Sequence, residues 1–343
     1  MEFRTKVQLP EKALLINHHD SVLVMGSCFA EHIGEWLQAD KFAVSVNPYG
    51  VLYNPMSILQ ALEDMSNGRQ YQVEDLFEYG GLWHSWMHHS SFSSSSQDEI
   101  LHHINTINHQ MQQNLQHLHL LILTWGTNHA YYLKEPLVSD SEKNDNLQAH
   151  LPEFPVGNCH KVPQKYFSER IFSLEEIVDS YSIWLEHHPD ICVLFTVSPI
   201  RYKKYGFHES NLSKAVLLLA QDELCRRFKN RCFYFPAYEI LMDELRDYRF
   251  YDTDMVHPAD VAVEYVKECF SQCYFSPETQ SINQDCESIV KALSHRPLHP
   301  ETDVYQCFLR KIVLRIQAIK EKYPYLSSKF KNELRLCHTL LKQ

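Results

Sequence analysis

Two nucleophiles stand side by side in Gly26-Ser27-Cys28, directly after the apolar run Ser21–Met25. The residues that follow put Phe29, Ile33, Trp36 and Leu37 on one face at a helical period, so the triplet is a strand-to-helix turn. Backbone N–H groups at a helix N-terminus are unpaired, and the helix dipole favours negative charge there. Both effects stabilise a thiolate, and the same N–H groups can hold the oxyanion of a tetrahedral intermediate. A nucleophile needs a base, and Asp252-Thr-Asp-Met-Val-His-Pro carries Asp254 and His257 three residues apart, just before a helix. A carboxylate at that distance can hold an imidazole ring in one tautomer. Asn128, in Gly126-Thr127-Asn128, offers a side-chain amide that can donate to an oxyanion. Each piece also has an architectural reading: an Asp near a helix N-cap, a His in a loop, an Asn chosen for its turn. Acyl chemistry is indicated by the combination.

Such scattered residues need a scaffold that gathers them. Ser21–Met25, Ala43–Val46, Leu118–Trp125, Ile191–Ile200 and Cys232–Phe235 read as short apolar strands. Between them Pro55–Met65, 98–117, Ser173–His187, Asn211–Phe228 and Pro258–Phe270 are helix-compatible, with Ala215, Leu218, Leu219 and Leu224 as the apolar positions of the fourth. Alternating apolar strands and helices imply an α/β fold: three α/β/α layers around a parallel sheet of about five strands. Ligands bind such sheets at the carboxyl ends of the strands. The turns at Gly26, at Asn47-Pro48-Tyr49-Gly50, at Gly126 and at Ser198-Pro199 all fall at those ends. Residues 1–272 are expected to form this domain, with inserts near 80–97 and 129–170. Residues 273–343 read as a helical extension, with Leu314, Ile316, Ile319, Leu336 and Leu340 as anchors.

Bulk properties narrow the partners. Lys and Arg number 32 against 43 Asp and Glu, a formal net charge of −11. With no basic block, nucleic acid and anionic membranes are not expected as partners. No apolar run reaches membrane-spanning length, and Met1–Val7 lacks the apolar segment of a signal peptide, so a cytoplasmic location is expected. The 10 cysteines are scattered without a CxxC pair, and the 21 histidines include no HExxH, so neither a metal nor another cofactor is expected.

The motifs taken together resemble a known superfamily. Strand-Gly-x-nucleophile, Gly-x-Asn after a central strand and Asp-x-x-His near the end look like SGNH (GDSL-type) hydrolases. Gly26-Ser27-Cys28-Phe29-Ala30 also spells the signature of the GSCFA family of bacterial proteins. Asn47-Pro48-Tyr49-Gly50, Tyr53-Asn54-Pro55, His88-His89-Ser90, Asn158-Cys159-His160-Lys161, Ser213-Lys214-Ala215 and Arg246–Tyr251 look like that family too, over roughly residues 20 to 270. The resemblance implies a flavodoxin-like sheet, with His257 as base, Asp254 as its carboxylate, Asn128 as an oxyanion donor and Gly50 as a second one. Aligned without a gap on Gly-Asp-Ser, Ser27 falls on the aspartate and Cys28 on the nucleophile. This register favours Cys28, with Ser27 as the alternative.

The expected activity is an ester hydrolase or acyltransferase that works through a covalent acyl-enzyme. Its substrate would be an acylated small molecule or carbohydrate. His88, His89, Asn158, His160 and Trp86 are expected substrate contacts, although aromatics there could equally be core. Two other readings stay open: a non-catalytic glycan- or ligand-binding module, and a metal hydrolase using His88, His89, His160 and His257.

Overall fold

Alternation along the apolar strands divides the molecule into layers. The computed structural model describes residues 4–11, 13–134, 153–294, 299 and 302–341. Strand β1 (Ser21–Gly26) leads into helix α1 (Cys28–Ala39), then β2 (Ala43–Val46) and α2 (Pro55–Ser66). A hairpin of β3 (Leu76–Tyr79) and β4 (Leu82–Ser85) precedes α3 (Gln97–Leu115) and β5 (Leu120–Trp125). A second hairpin pairs β6 (His129–Leu133) with β7 (Phe167–Ile171). There follow α4 (Leu174–His187), β8 (Cys192–Val197), α5 (Phe207–Arg227) and β9 (Cys232–Tyr234). A short helix α6 (Ala237–Glu239) runs into a π-helical turn, Ile240–Glu244, before α7 (Asp260–Tyr274). Helices α8 (Pro277–Ser294), α9 (Asp303–Lys322) and α10 (Lys331–Leu341) come last.

Five strands form one parallel sheet in the order β2-β1-β5-β8-β9. Successive side chains of a strand point to opposite faces. Leu23, Met25, Leu121, Leu123, Val193 and Phe195 accordingly pack under residues of α2, α3, α4 and α5. Val22, Val24, Leu120, Ile122 and Leu194 pack under α1, α6 and α7. Each fully buried aliphatic side chain contributes about 1.5–3 kcal/mol. The three-layer α/β/α reading of the sequence is therefore the observed fold. The chain leaves β1 toward β2 on one side and returns to β5 on the other, which opens a crevice at the carboxyl ends of β1 and β5.

β4 lies in the insert expected near 80–97 and β3 just before it, and β6 and β7 stand at the two ends of the insert expected near 129–170; none of the four was expected as a strand. β3 and β4 turn through Gly80 and Gly81, both at positive φ with open space around the missing side chain. β7 pairs with a partner more than 30 residues earlier and carries Glu169 and Arg170, so no local signal marks it. Residues 135–152 of the second insert lie outside the described residues.

Helices α8, α9 and α10 enclose their own cluster, including Ile289, Leu309, Ile312, Ile316 and Phe330. Lys41, just past α1, pairs with Glu333 of α10 at 2.5 Å. Of the expected anchors, Ile316 and Ile319 are core, but Leu314 and Leu336 are exposed. The buried stripe of α9 is Leu309, Ile312, Ile316 and Ile319, a spacing of three and four that leaves Leu314 on the far side.

Candidate functional site

The turn after β1 requires a glycine. Gly26 has φ 144°, and a Cβ there would lie 2.2 Å from the Thr124 carbonyl oxygen of β5. Its N–H donates to Asn47 Oδ1 at 2.9 Å, which joins the end of β2 to the end of β1. Ser27 is the N-cap of α1 and Cys28 its first residue. The N–H groups of Ala30 and Glu31 already bond to the Ser27 carbonyl, which leaves those of Cys28 and Phe29 at the tip.

The two nucleophiles differ in surroundings. Ser27 is 1% exposed, and its Oγ is buried with no partner among the described residues. Cys28 is partly exposed, and its Sγ lies 3.6 Å from the Tyr53 hydroxyl. That hydroxyl is held well above the ordinary tyrosine range by burial and by Cys28 beside it. The Tyr53 carbonyl in turn accepts from the N–H groups of Gly126 (2.8 Å) and Thr127 (3.1 Å), so the tyrosine is strapped to the end of β5.

Asp254 and His257 meet as their spacing suggested. Asp254 Oδ2 lies 2.5 Å from His257 Nδ1. Asp254 Oδ1 accepts from the backbone N–H groups of Val256 and His257, both at 2.9 Å. These bonds hold the carboxyl down at about 2, the His257 N–H contributing most. An ionised carboxylate on Nδ1 keeps a proton there and leaves Nε2 as the basic nitrogen. Bonds between Asp252 and His257, and from Arg201 N–H to the Val256 carbonyl, fix the loop against the end of β8.

A cavity of about 290 Å³ opens between these parts. Ser27 and His257 both line it, with Tyr53, Gly126, Ser198 and Lys214. Cys28 and His257 are not hydrogen bonded to each other; the sulfur is turned to Tyr53 at its edge. Asn128 is close by but faces elsewhere: its Nδ2 donates to the Phe172 carbonyl at 2.8 Å, its N–H to Ser213 Oγ at 3.0 Å. Its Oδ1 is buried without a partner among the described residues. The Gly50 N–H is taken by the Asn47 carbonyl at 2.7 Å, and Gly50, at φ 82°, makes room for the Cβ of His89.

His88, His89, Asn158, His160 and Trp86 form a separate group beneath the first hairpin, and none lines this cavity. Trp86 stacks on Phe77 at 3.6 Å within a small core. His88 is fully buried between Ser85 and Tyr49, and burial pushes its imidazole far below the usual range. His160 bonds the Ser85 carbonyl at 2.8 Å and is lowered to about 4 by burial. Asn158 Oδ1 caps the His160 N–H, and His89 bonds Ser91. Among the described residues, no group of three or more His, Cys, Asp or Glu could hold a metal ion.

The cavity's most buried cation stands in the sequence only within the Ser213-Lys214-Ala215 stretch, where no site role was expected of it. Lys214, on α5, is 3% exposed, and its Nζ donates to the carbonyls of Gly126 and Ser198, each at 2.7 Å. Burial lowers its ammonium to about 7. The available signal was its place on a stripe with Ser210, Ser213, Leu217, Ala220 and Leu224, the face that α5 buries. The expected position Leu219 is instead 58% exposed.

Fold and site together define an α/β/α protein with a polar crevice at the switch point of a parallel sheet, where a strand-to-helix turn faces an Asp–His pair. The chain belongs to the GSCFA family, whose model matches residues 21–270. A second model, the C-terminal domain of GSCFA domain proteins, matches residues 286–343. Nothing among the curated proteins or the solved structures matches the chain. Among the described residues, no helix is long and apolar enough to cross a membrane.

Proposed function

We propose that this protein is an SGNH-type ester hydrolase or acyltransferase, acting on an acylated small molecule or carbohydrate through a covalent acyl-enzyme. One observation carries the reading: the His257 ring, oriented by the ionised Asp254, and the N-terminal turn of α1 border the same cavity. Cys28 is the nucleophile. It is accessible at the first position of α1, whereas the Ser27 hydroxyl is buried. The Cys28 side chain rotates from Tyr53 toward His257 when substrate enters. His257 Nε2 takes the thiol proton as sulfur adds to the acyl carbon, and the Cys28 and Phe29 N–H groups receive the oxyanion. The carbon–oxygen bond then breaks, and the alcohol leaves with the proton from His257. Water or another acceptor releases the acyl group from the thioester by the reverse proton path. Asn128 Nδ2 and the Gly50 N–H, committed to the Phe172 and Asn47 carbonyls, are not assigned to the oxyanion. Its many thiols suit a reducing compartment, and the cytoplasm is the proposed location.

A burst of p-nitrophenol from p-nitrophenyl acetate is expected for the wild type and is lost in Cys28→Ala and in His257→Ala. An undiminished burst in Cys28→Ala, with loss in Ser27→Ala, would move the nucleophile to Ser27. A second reading, a binding module without turnover, draws on the contact of the Cys28 sulfur with Tyr53 rather than His257. It predicts no burst in any variant.

A further inference from the structure

We infer that the cavity beside Ser27 and His257 selects a substrate bearing an oxyanion group, a carboxylate or a phosphate, held by Arg201 and Lys214. Of the twelve residues that line it, four are Arg201, Lys203, Lys204 and Lys214, and none is Asp or Glu. That is the reverse of the chain as a whole, which is acidic by eleven charges.

The two central cations are built in. Lys214 is buried and spends two of its three ammonium protons on the Gly126 and Ser198 carbonyls. The third is left for a ligand. Arg201 is fixed from three sides: its guanidinium stacks over Phe207 at 4.0 Å, bonds the Tyr248 hydroxyl at 3.3 Å, and its backbone N–H meets the Val256 carbonyl. Lys204 lies over the Tyr131 ring at 4.3 Å. Among the described residues none of the four is paired with a carboxylate, whereas Arg69, Arg170, Arg226 and Arg227 each are. A cavity lined by four cations and no carboxylate is complementary to a bound anion. The guanidinium fork and a buried ammonium both suit carboxylate and phosphate oxygens. An anion beside Lys214 would also restore its proton, so binding above pH 7 takes up protons from solution.

This inference rests on the proposed ester chemistry only for where the reacting bond lies; charge selection is read by binding alone. Calorimetric titrations at pH 8 and low salt, in two buffers of different ionisation enthalpy, would use succinate, inorganic phosphate and neutral succinamide. Succinate or phosphate is expected to bind at least about tenfold tighter than succinamide, with proton uptake and weakening in salt. Which anion binds tells a carboxylate substrate from a phosphorylated one. Arg201→Gln should weaken binding about tenfold or more, as loss of a charged hydrogen bond does. Lys203→Gln, at an exposed turn position, gives a smaller loss and serves if the first variant does not fold. Equal binding of succinamide and succinate, or no anion binding at millimolar concentration, would overturn the inference. A missing acetate burst with anion binding intact would sink the esterase reading and leave this one standing.

Discussion

Lys214 makes the sharpest demand on solution behaviour. Its ammonium is buried, so burial lowers it from 10.5 to about 7 in the folded protein. Between those values the unfolded chain holds a proton on this lysine and the folded chain does not. Stability follows the excess of protons bound by the unfolded state, so it must rise with pH across that window. Below about 7 the lysine is charged in both states and the full cost of burying it is present; above 10.5 it is neutral in both and the cost is gone. Each pH unit of the window is worth about 1.4 kcal/mol, so the whole window amounts to about 5 kcal/mol. Urea unfolding of wild type and Lys214→Met at pH 6.5, 7.5, 8.5 and 9.5 isolates this lysine, since every other titrating group is shared. Methionine removes the two carbonyl bonds at every pH, which offsets one curve from the other by a constant. The wild-type curve should then gain on the variant by about 2–3 kcal/mol between pH 7.5 and 9.5. Curves that stay parallel would show that Lys214 is not deprotonated on folding, and the reasoning from burial would fail.

Asp254, Gly26 and Asp40 each carry a further expected outcome. Asp254→Asn should lower the rate of ester turnover about 10²–10⁴-fold while barely moving the urea midpoint, because the pair it breaks is about half exposed and orients rather than stabilises. Gly26→Ala forces a Cβ against the Thr124 carbonyl at a positive φ and should cost roughly 3 kcal/mol or more, read as a lower urea midpoint. Asp40, pushed up to about 7 chiefly by burial, holds a proton in the folded state that the unfolded chain has lost, so its own contribution to stability should fall as pH rises from about 4 to about 7, against the opposite contributions of buried His18 and His160. In pH-dependent thermal melts wild type should therefore lose stability relative to Asp40→Asn across this range; parallel curves would exclude the contribution.

The parts of the fold that were legible are those with short-range signals. The apolar runs of β1, β5 and β8 end in Gly26, Gly126 and Ser198, and both sheet faces are buried, so each strand reads as a bounded hydrophobic stretch. Asp254 and His257 were legible as a pair because three residues separate them, close enough for one loop to set the contact. The second hairpin was hidden because its strands lie more than 30 residues apart, whereas the first did carry a local signal, the two-residue Gly80-Gly81 turn, inside a stretch that reads as an irregular insert. Lys214 was hidden for another reason: apolar periodicity assigns polar residues to solvent, and α5 buries Ser210, Ser213, Lys214 and Gln221. The side chains that line a polar crevice break the pattern used to find cores. Tyr53 was quoted only as part of a motif, and nothing local foretells that its carbonyl would bind the end of β5.

The sheet order has a consequence for how the protein is made. β1 lies inside the sheet, yet its neighbour β5 begins about a hundred residues later, and His257 about another hundred and thirty after that. A chain emerging from the ribosome therefore exposes the Gly26 turn long before anything can oppose it, and pairings so distant in sequence form slowly. On the proposed mechanism the Cys28 thiol lacks its base throughout that interval. On that mechanism acylation would begin only once His257 is in place, and burst amplitude would count the molecules folded that far.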